Sequence, residues 1–109
     1  MSDQFFQDLS TVQSYRQLAP RTIASAATIA PTTFISLITG TTNIATITPP
    51  VTGAHMLVFL FTDAAPPDFL TTGNILVATT VATTNRPVLA FYDPRQAKYY
   101  TAALLAASV

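Results

Sequence analysis

Residues 55–62 read HMLVFLFT, and this stretch contains the longest strongly apolar run of the chain. Both of its alternating sets of side chains are apolar. One set is Met56, Val58 and Leu60, and the other is Leu57, Phe59 and Phe61. Because successive side chains of a strand point to opposite faces, this pattern predicts a strand that is covered on both faces. We therefore expect residues 55–62 to lie at the centre of the domain.

Other runs with a composition typical of β-strands precede and follow this stretch. They are rich in Thr, Ile, Val, Phe and Tyr, which favour a pleated, half-buried surface. The runs are residues 21–29, 33–39, 42–48, 74–80, 86–92 and 98–106, separated by Gly, Pro, Asn and Asp turn signals. Short strands between frequent turns predict an all-β domain, a small sandwich or barrel-like fold. The last run is also open to a helical interpretation, because it is rich in Ala and Leu.

Residues 1–20 differ from the rest, and we divide the chain into this segment and a β domain over residues 21–109. Phe5, Leu9 and Val12 have helical spacing, which predicts a short helix ended by Pro20. An extended arm is the alternative, because Ser, Thr and Val favour helices poorly. In either form the segment cannot bury its large apolar groups alone, so we expect it to pack on its own body or on another protein.

Charge is the most unusual property of the composition. Charged residues make up 9% of the 109 residues, against about 25% in ordinary globular proteins, and the net charge is zero. The longest strongly apolar run, residues 56–61, is far shorter than the roughly 20 residues of a membrane-spanning helix, and no secretory signal pattern opens the chain. The basic residues form no cluster of the kind that binds nucleic acid. We therefore expect much of the surface to be buried in an assembly.

No set of residues predicts catalysis or metal binding. The chain has one histidine, His55, and no cysteine. Asp63 and Asp68 flank a proline-rich turn. One interpretation places both on a loop near His55 as metal ligands, but turn hydrogen bonding explains them more simply. The hydroxyls lack a credible base, and the three glycines form no phosphate-binding loop. We predict a protein that is not an enzyme and has no cofactor.

Two groups of aromatic residues are candidates for contacts. In the N-terminal segment the candidates for contacts with another protein or another subunit are Phe5, Phe6, Leu9, Val12 and Tyr15. Near the end of the chain, Tyr99 and Tyr100 are candidates for an exposed contact, as a sugar platform or an interface anchor. The simpler interpretation places them in the core, with their hydroxyls at its rim.

The sequence resembles a β-rich module of tailed-phage virion proteins, of the head-decoration and head-fibre type. Residues 20–50, PRTIASAATIAPTTFISLITGTTNIATITPP, and residues 71–93, TTGNILVATTVATTNRPVLAFYD, carry the resemblance, which extends over about residues 21–100. The module commonly closes with Tyr-Asp-Gly-Thr before a Trp. Here Pro94 stands in the place of the glycine, and tyrosines stand where the Trp would fall.

The resemblance implies a function in the virion, with no catalytic residues. The expected protein is a capsid decoration (cement) protein at the capsid surface, whose partners are the major capsid protein and its own copies, as a homotrimer. The alternative is a tail-fibre or head-fibre adhesin module that binds a host glycan. We favour the decoration protein because no coiled-coil or repeat segment precedes the β-region. Neither interpretation includes binding to nucleic acid or to a membrane.

Overall fold

The computed structural model describes residues 20–77 and 86–103, and this part of the chain is all-β, without a helix. Its strands are β1 (Arg21–Ala24), β2 (Thr28–Ile29), β3 (Ile35–Thr39), β4 (Thr46–Ile47), β5 (His55–Phe61), β6 (Ile75–Val77), β7 (Pro87–Asp93) and β8 (Lys98–Ala103). The predicted all-β class is confirmed, and β8 removes the helical alternative for residues 98–103. Of the arm or helix predicted over residues 1–20, residues 1–19 lie outside the described residues.

Strand β5 lies inside a mixed six-stranded sheet, in the order β1-β3-β5-β7-β8-β6. On one side β5 pairs with β3 in parallel, and β3 pairs in parallel with β1. On the other side β5, β7 and β8 are successively antiparallel, and the edge strand β6 runs parallel to β8. The central position predicted for residues 55–62 is confirmed.

The parallel half of the sheet is built without helices. Parallel neighbours cannot be joined by a tight hairpin and need a crossover. Here the chain leaves the large sheet after β1 and after β3, and each time it adds one short strand to a second sheet. The strands β2 and β4 of this small sheet are also parallel, with Ile29 opposite Ile47. The backbone amides of Ala45 and Thr46 both donate to the carbonyl of Ala27, which extends the pairing.

One hydrophobic core joins the two sheets. The inward side chains of β5, namely Leu57, Phe59 and Phe61, have no exposed surface. They belong to one buried cluster with Ile29 and Ile47 of the small sheet. The remaining buried apolar members are Ile38, Ile44, Phe69, Ile75, Val88, Ala90 and Tyr99. Because the small sheet lies on only one side, it covers the inner face of the large sheet and not the outer one.

The two faces of β5 therefore differ, although the sequence makes both apolar. Val58 and Leu60 are half-buried and Met56 is 42% exposed, whereas the inward residues are fully buried. Within the described residues, the covering that we expected on both faces is present on one. The face of the sheet on which a β5 residue lies therefore decides which substitutions the fold tolerates, because the residues of both faces are equally apolar.

The short strand β4 is fixed by a side chain from the turn before β6. The backbone amide of Ile47 donates to Oδ1 of Asn74 at 2.9 Å, and Nδ2 of Asn74 donates to the carbonyl of Ile47 at 2.7 Å. The preceding Gly73 makes this approach possible, because a Cβ there would collide with the backbone of Ala45 and with the Thr46 side chain. Asn74 thus replaces a neighbouring strand at the edge of the small sheet.

We expect Phe59→Asp and Leu60→Asp to have very different effects. An aspartate at position 59 leaves an unpaired charge and a cavity in the core, at a cost above about 4 kcal/mol, which is comparable to the stability of a small domain. At position 60 the carboxylate can reach water, and the variant should fold. Circular dichroism and urea unfolding of both variants measure the difference. Equal loss of structure would show that the outer face is as dry as the inner one.

Asn74→Ala should lower the free energy of unfolding by about 1–3 kcal/mol, because two backbone groups of Ile47 lose their partners in a partly buried place. The matched control is Asn43→Ala, which removes one exposed hydrogen bond from the backbone amide of Asp68. Urea unfolding compares the two variants. Equal effects would contradict the role assigned to Asn74.

Candidate interaction surface on the large sheet

The outer face of the large sheet is made of three rows of side chains that the strand register sets side by side. The first row is Met56, Phe91 and Tyr100, the second is Ile35, Val58, Leu89 and Ala102, and the third is Thr22, Leu37, Leu60 and Pro87. In these rows no side chain is charged, and the polar groups are two hydroxyls, at opposite margins. We call these three rows the outer face.

The size of the outer face follows from strand geometry. Neighbouring strands are about 4.8 Å apart and alternate residues about 6.7 Å apart, so three rows over four strands cover about 400 Å². A continuous apolar area of this size is near the largest that ordinary monomers expose, and such areas often mark binding sites. It is therefore the strongest candidate for a functional surface in the described part of the chain.

The most accessible residues of the outer face are a cross-strand pair. Met56 on β5 lies opposite Phe91 on β7, and their exposed fractions are 42% and 50%. The other large side chains of the face, on β3, β5 and β7, are half-buried by their neighbours in the sheet. A partner that covers Met56 and Phe91 would remove apolar surface from water. The next row of the sheet, toward the β7–β8 turn, is charged, because Asp93 lies there opposite Lys98.

The sequence carried a signal for this surface that our sequence analysis used only in part. The second apolar set of β5 was recognised, but it was assigned to a covered interior. The outward residues Leu89 and Phe91 of β7, and Ile35 and Leu37 of β3, show the same alternate spacing. The pairing order that brings these strands together cannot be read from their local patterns, so the face becomes visible only in the folded chain.

Tyr99 and Tyr100, the candidates for an exposed contact, point to opposite sides of β8. Tyr99 has no exposed surface and belongs to the core cluster, so it offers no contact at the surface. Tyr100 is half-buried in the first row of the outer face, and its hydroxyl accepts a hydrogen bond from Nε2 of Gln96 at 2.8 Å. The simpler interpretation of our sequence analysis, a core ring with a polar group at the rim, describes Tyr99.

His55 lies beside Tyr99 and has both ring nitrogens engaged. Nδ1 lies 2.8 Å from the carbonyl oxygen of Gly53, and Nε2 lies 2.8 Å from the hydroxyl of Tyr99. Since a carbonyl only accepts, Nδ1 carries a proton, and in the corresponding neutral tautomer Nε2 accepts from the hydroxyl of Tyr99. The His55 ring also stacks on Tyr92. Burial raises the pKa of the Tyr99 phenol well above its ordinary value, which keeps this donor protonated.

The carboxylates that we considered beside His55 are far from it. Asp63 follows the opposite end of β5, and a strand of seven residues spans about 20 Å. Oδ1 of Asp63 accepts from the backbone amide of Ala65, which is the turn bonding expected from the sequence. In residues 20–77 and 86–103, no three His or carboxylate side chains are grouped as metal ligands.

A shallow cavity of about 380 Å³ lies at the His55 end of the sheet. Its walls come from the turn before β5 and from the end of β7, and they are Pro49, Pro50, Val51, Thr52, Gly53, Tyr92 and Pro94. The ring of Tyr92, which would have to serve as a stacking platform, packs against His55 and tilts against Tyr99. The cavity is therefore a weaker candidate than the outer face.

The other predicted contacts, Phe5, Phe6, Leu9, Val12 and Tyr15, lie outside the described residues. The described part of the chain also contains no helix of the length and hydrophobicity needed to cross a bilayer. No protein-family model matches the chain, and neither the curated proteins nor the solved structures compared with it include a match.

Tyr99→Phe should lower the free energy of unfolding by about 1 kcal/mol, because it removes the hydrogen bond to His55 inside the core. Tyr100→Phe is the matched control, since it removes an exposed hydrogen bond on the neighbouring residue. Thermal unfolding at neutral pH measures both. A larger effect for Tyr100→Phe would show that the two tyrosines have been assigned to the wrong sides.

Proposed function

We propose that this chain is a structural protein of a tailed-phage virion, a capsid decoration protein that binds the major capsid protein and its own copies. The proposal depends most on one observation, the uncharged outer face of the large sheet. The sequence resemblance to head-decoration and head-fibre modules and the 9% content of charged residues support it. The proposed activity is binding, with no catalytic step and no cofactor.

The proposed mechanism of association, with the capsid and between copies, is apolar burial. Fully burying a large apolar side chain contributes about 1.5–3 kcal/mol. Met56 and Phe91 are about half exposed, so covering both supplies a few kcal/mol per copy. Because a decoration protein binds as an oligomer, here proposed as a trimer, these modest contributions are multiplied by the number of copies attached together.

The N-terminal segment is proposed as the second attachment element. Its large apolar residues, Phe5, Phe6, Leu9, Val12 and Tyr15, would contact the capsid or neighbouring subunits. In this proposal the body is a small sandwich, with β2 and β4 as the partial second layer over the inner face. That arrangement leaves the outer face and the N-terminal segment for partners.

The alternative is an adhesin module that binds a host glycan, and the cavity near Tyr92 is the place where such a ligand would fit. The burial of Tyr99 and the packing of Tyr92 against His55 speak against a sugar platform there. The outer face also favours the first proposal, because a broad apolar surface suits a protein partner better than a hydroxyl-rich sugar.

The test is co-sedimentation of the purified chain with capsids assembled from the major capsid protein of the phage that carries this gene. The double variant Met56→Lys/Phe91→Lys should remain folded and bind at least about tenfold more weakly, which corresponds to a loss of about 1.4 kcal/mol. Leu70→Lys is the matched control, because Leu70 is 38% exposed but lies outside the outer face. Removal of residues 2–18 should also abolish binding.

Absence of the unchanged chain from the capsid pellet would refute the proposed function. Binding that all variants retain equally would show that the outer face is not involved. If Tyr92→Ala abolished attachment to host cells while capsids kept their full complement of the protein, the adhesin function would replace this proposal.

A further inference from the structure

We propose that the outer face of each copy is covered by the N-terminal segment, residues 1–19, of a second copy. The inference rests on the proposed self-association. It specifies the contact between copies, in which the N-terminal segment of one chain packs on the outer face of the next. The occupant is argued from three properties of the described structure, namely where the segment joins the body, how large the outer face is, and what chemistry it presents.

The N-terminal segment joins the body at the margin of the outer face. Pro20 immediately precedes β1, which is the edge strand beside β3. Thr22 of β1 lies opposite Leu37 in the third row of the face. Nineteen residues therefore emerge at the border of the apolar surface, a length that can cross a sheet about 20 Å wide several times if extended.

The segment and the outer face match in chemistry and in size. Phe5, Leu9 and Val12 offer an apolar stripe if the segment is helical, and the face opposite carries no charge. A helix is about 10 Å wide, and residues 5–18 would span about 20 Å. The width and length of such a helix fit within the outer face, and its stripe would cover Met56 and Phe91.

Buried area distinguishes this arrangement from a direct contact between two sheets. Pairing two outer faces would bury about 400 Å² on each copy, half of the roughly 800 Å² per partner of a standard interface. If each copy gives its segment and also accepts one, it buries about 400 Å² in each contact. The total then reaches about 800 Å² per copy. In a ring this total is divided between two neighbours, so each copy is held by two contacts of about 400 Å², where pairing of two sheets gives one.

The junction with β1 favours a second copy over the chain's own face. Pro20 stands directly before the edge strand β1, and a proline disfavours helical backbone in the residue that precedes it. Residues 13–19, QSYRQLA, contain one residue that favours turns, Ser14, and no Gly, Asn, Asp or Pro. We therefore expect the segment to continue past the edge of its own sheet. A head-to-tail exchange of this kind forms a ring when the rotation between copies closes, and the proposed trimer is such a ring.

Cysteine cross-linking tests the exchange directly, because the natural chain has no cysteine. Val12→Cys places a thiol in the segment, and Leu89→Cys places one in the middle of the outer face. The two full-length variants, one carrying a mass tag, are mixed and treated with a short bis-maleimide. We expect a covalent product at the summed mass of the tagged and untagged chains. Thr28→Cys, exposed on the small sheet, replaces Leu89→Cys as the control and should give none.

Two results would overturn the exchange. If the double variant Val12→Cys/Leu89→Cys forms a cross-link within one chain while the mixture gives no mixed product, the segment covers its own sheet. If neither preparation cross-links, another partner covers the outer face. Co-sedimentation with capsids is independent of both results, so the failure of this inference and the failure of the proposed function can be told apart.

Discussion

The structure depends on the unequal covering of the two faces of β5. Its inward residues Leu57, Phe59 and Phe61 exclude water completely and join the two sheets in one core. Its outward residues are as apolar but remain half-buried or exposed. Small domains leave much of their surface exposed to solvent. In this domain the exposed surface includes an apolar sheet face of a kind that is normally buried. A partner for that surface is the physical requirement from which the functional proposals follow.

The low charge of the chain is consistent with the unequal covering of the two faces of the sheet. In the described residues the charged groups lie at strand ends and in turns, as Asp93 and Arg95 do beside the β7–β8 turn, where they form an exposed ion pair. Hydrogen bonding from Arg95 lowers the pKa of Asp93, but this local network orders a turn and does not protect the outer face. Proline at the start of β7 ends one row of the face without adding polarity. The three rows of the outer face therefore present mainly apolar side chains to their surroundings.

Much of the fold could be predicted from the sequence because its signals are local. The alternation in residues 55–62, the β-branched runs and the turn residues identified the strands and the central place of β5. The parallel crossovers through β2 and β4 were not predictable, because each of these strands has two residues and depends on distant partners such as Asn74. The same limit explains Tyr99, whose burial depends on β8 lying between β7 and β6. The outer face is a product of pairing order, so no single stretch of sequence shows it.

The most direct test of the account is the molar mass of the purified full-length chain, measured by light scattering over a wide range of concentrations. We expect an oligomer whose mass is a multiple of 11.6 kDa and which dissociates when Met56 and Phe91 are replaced by lysine. A folded chain that remains at 11.6 kDa at every concentration, with its outer face in contact with water alone, would contradict the account.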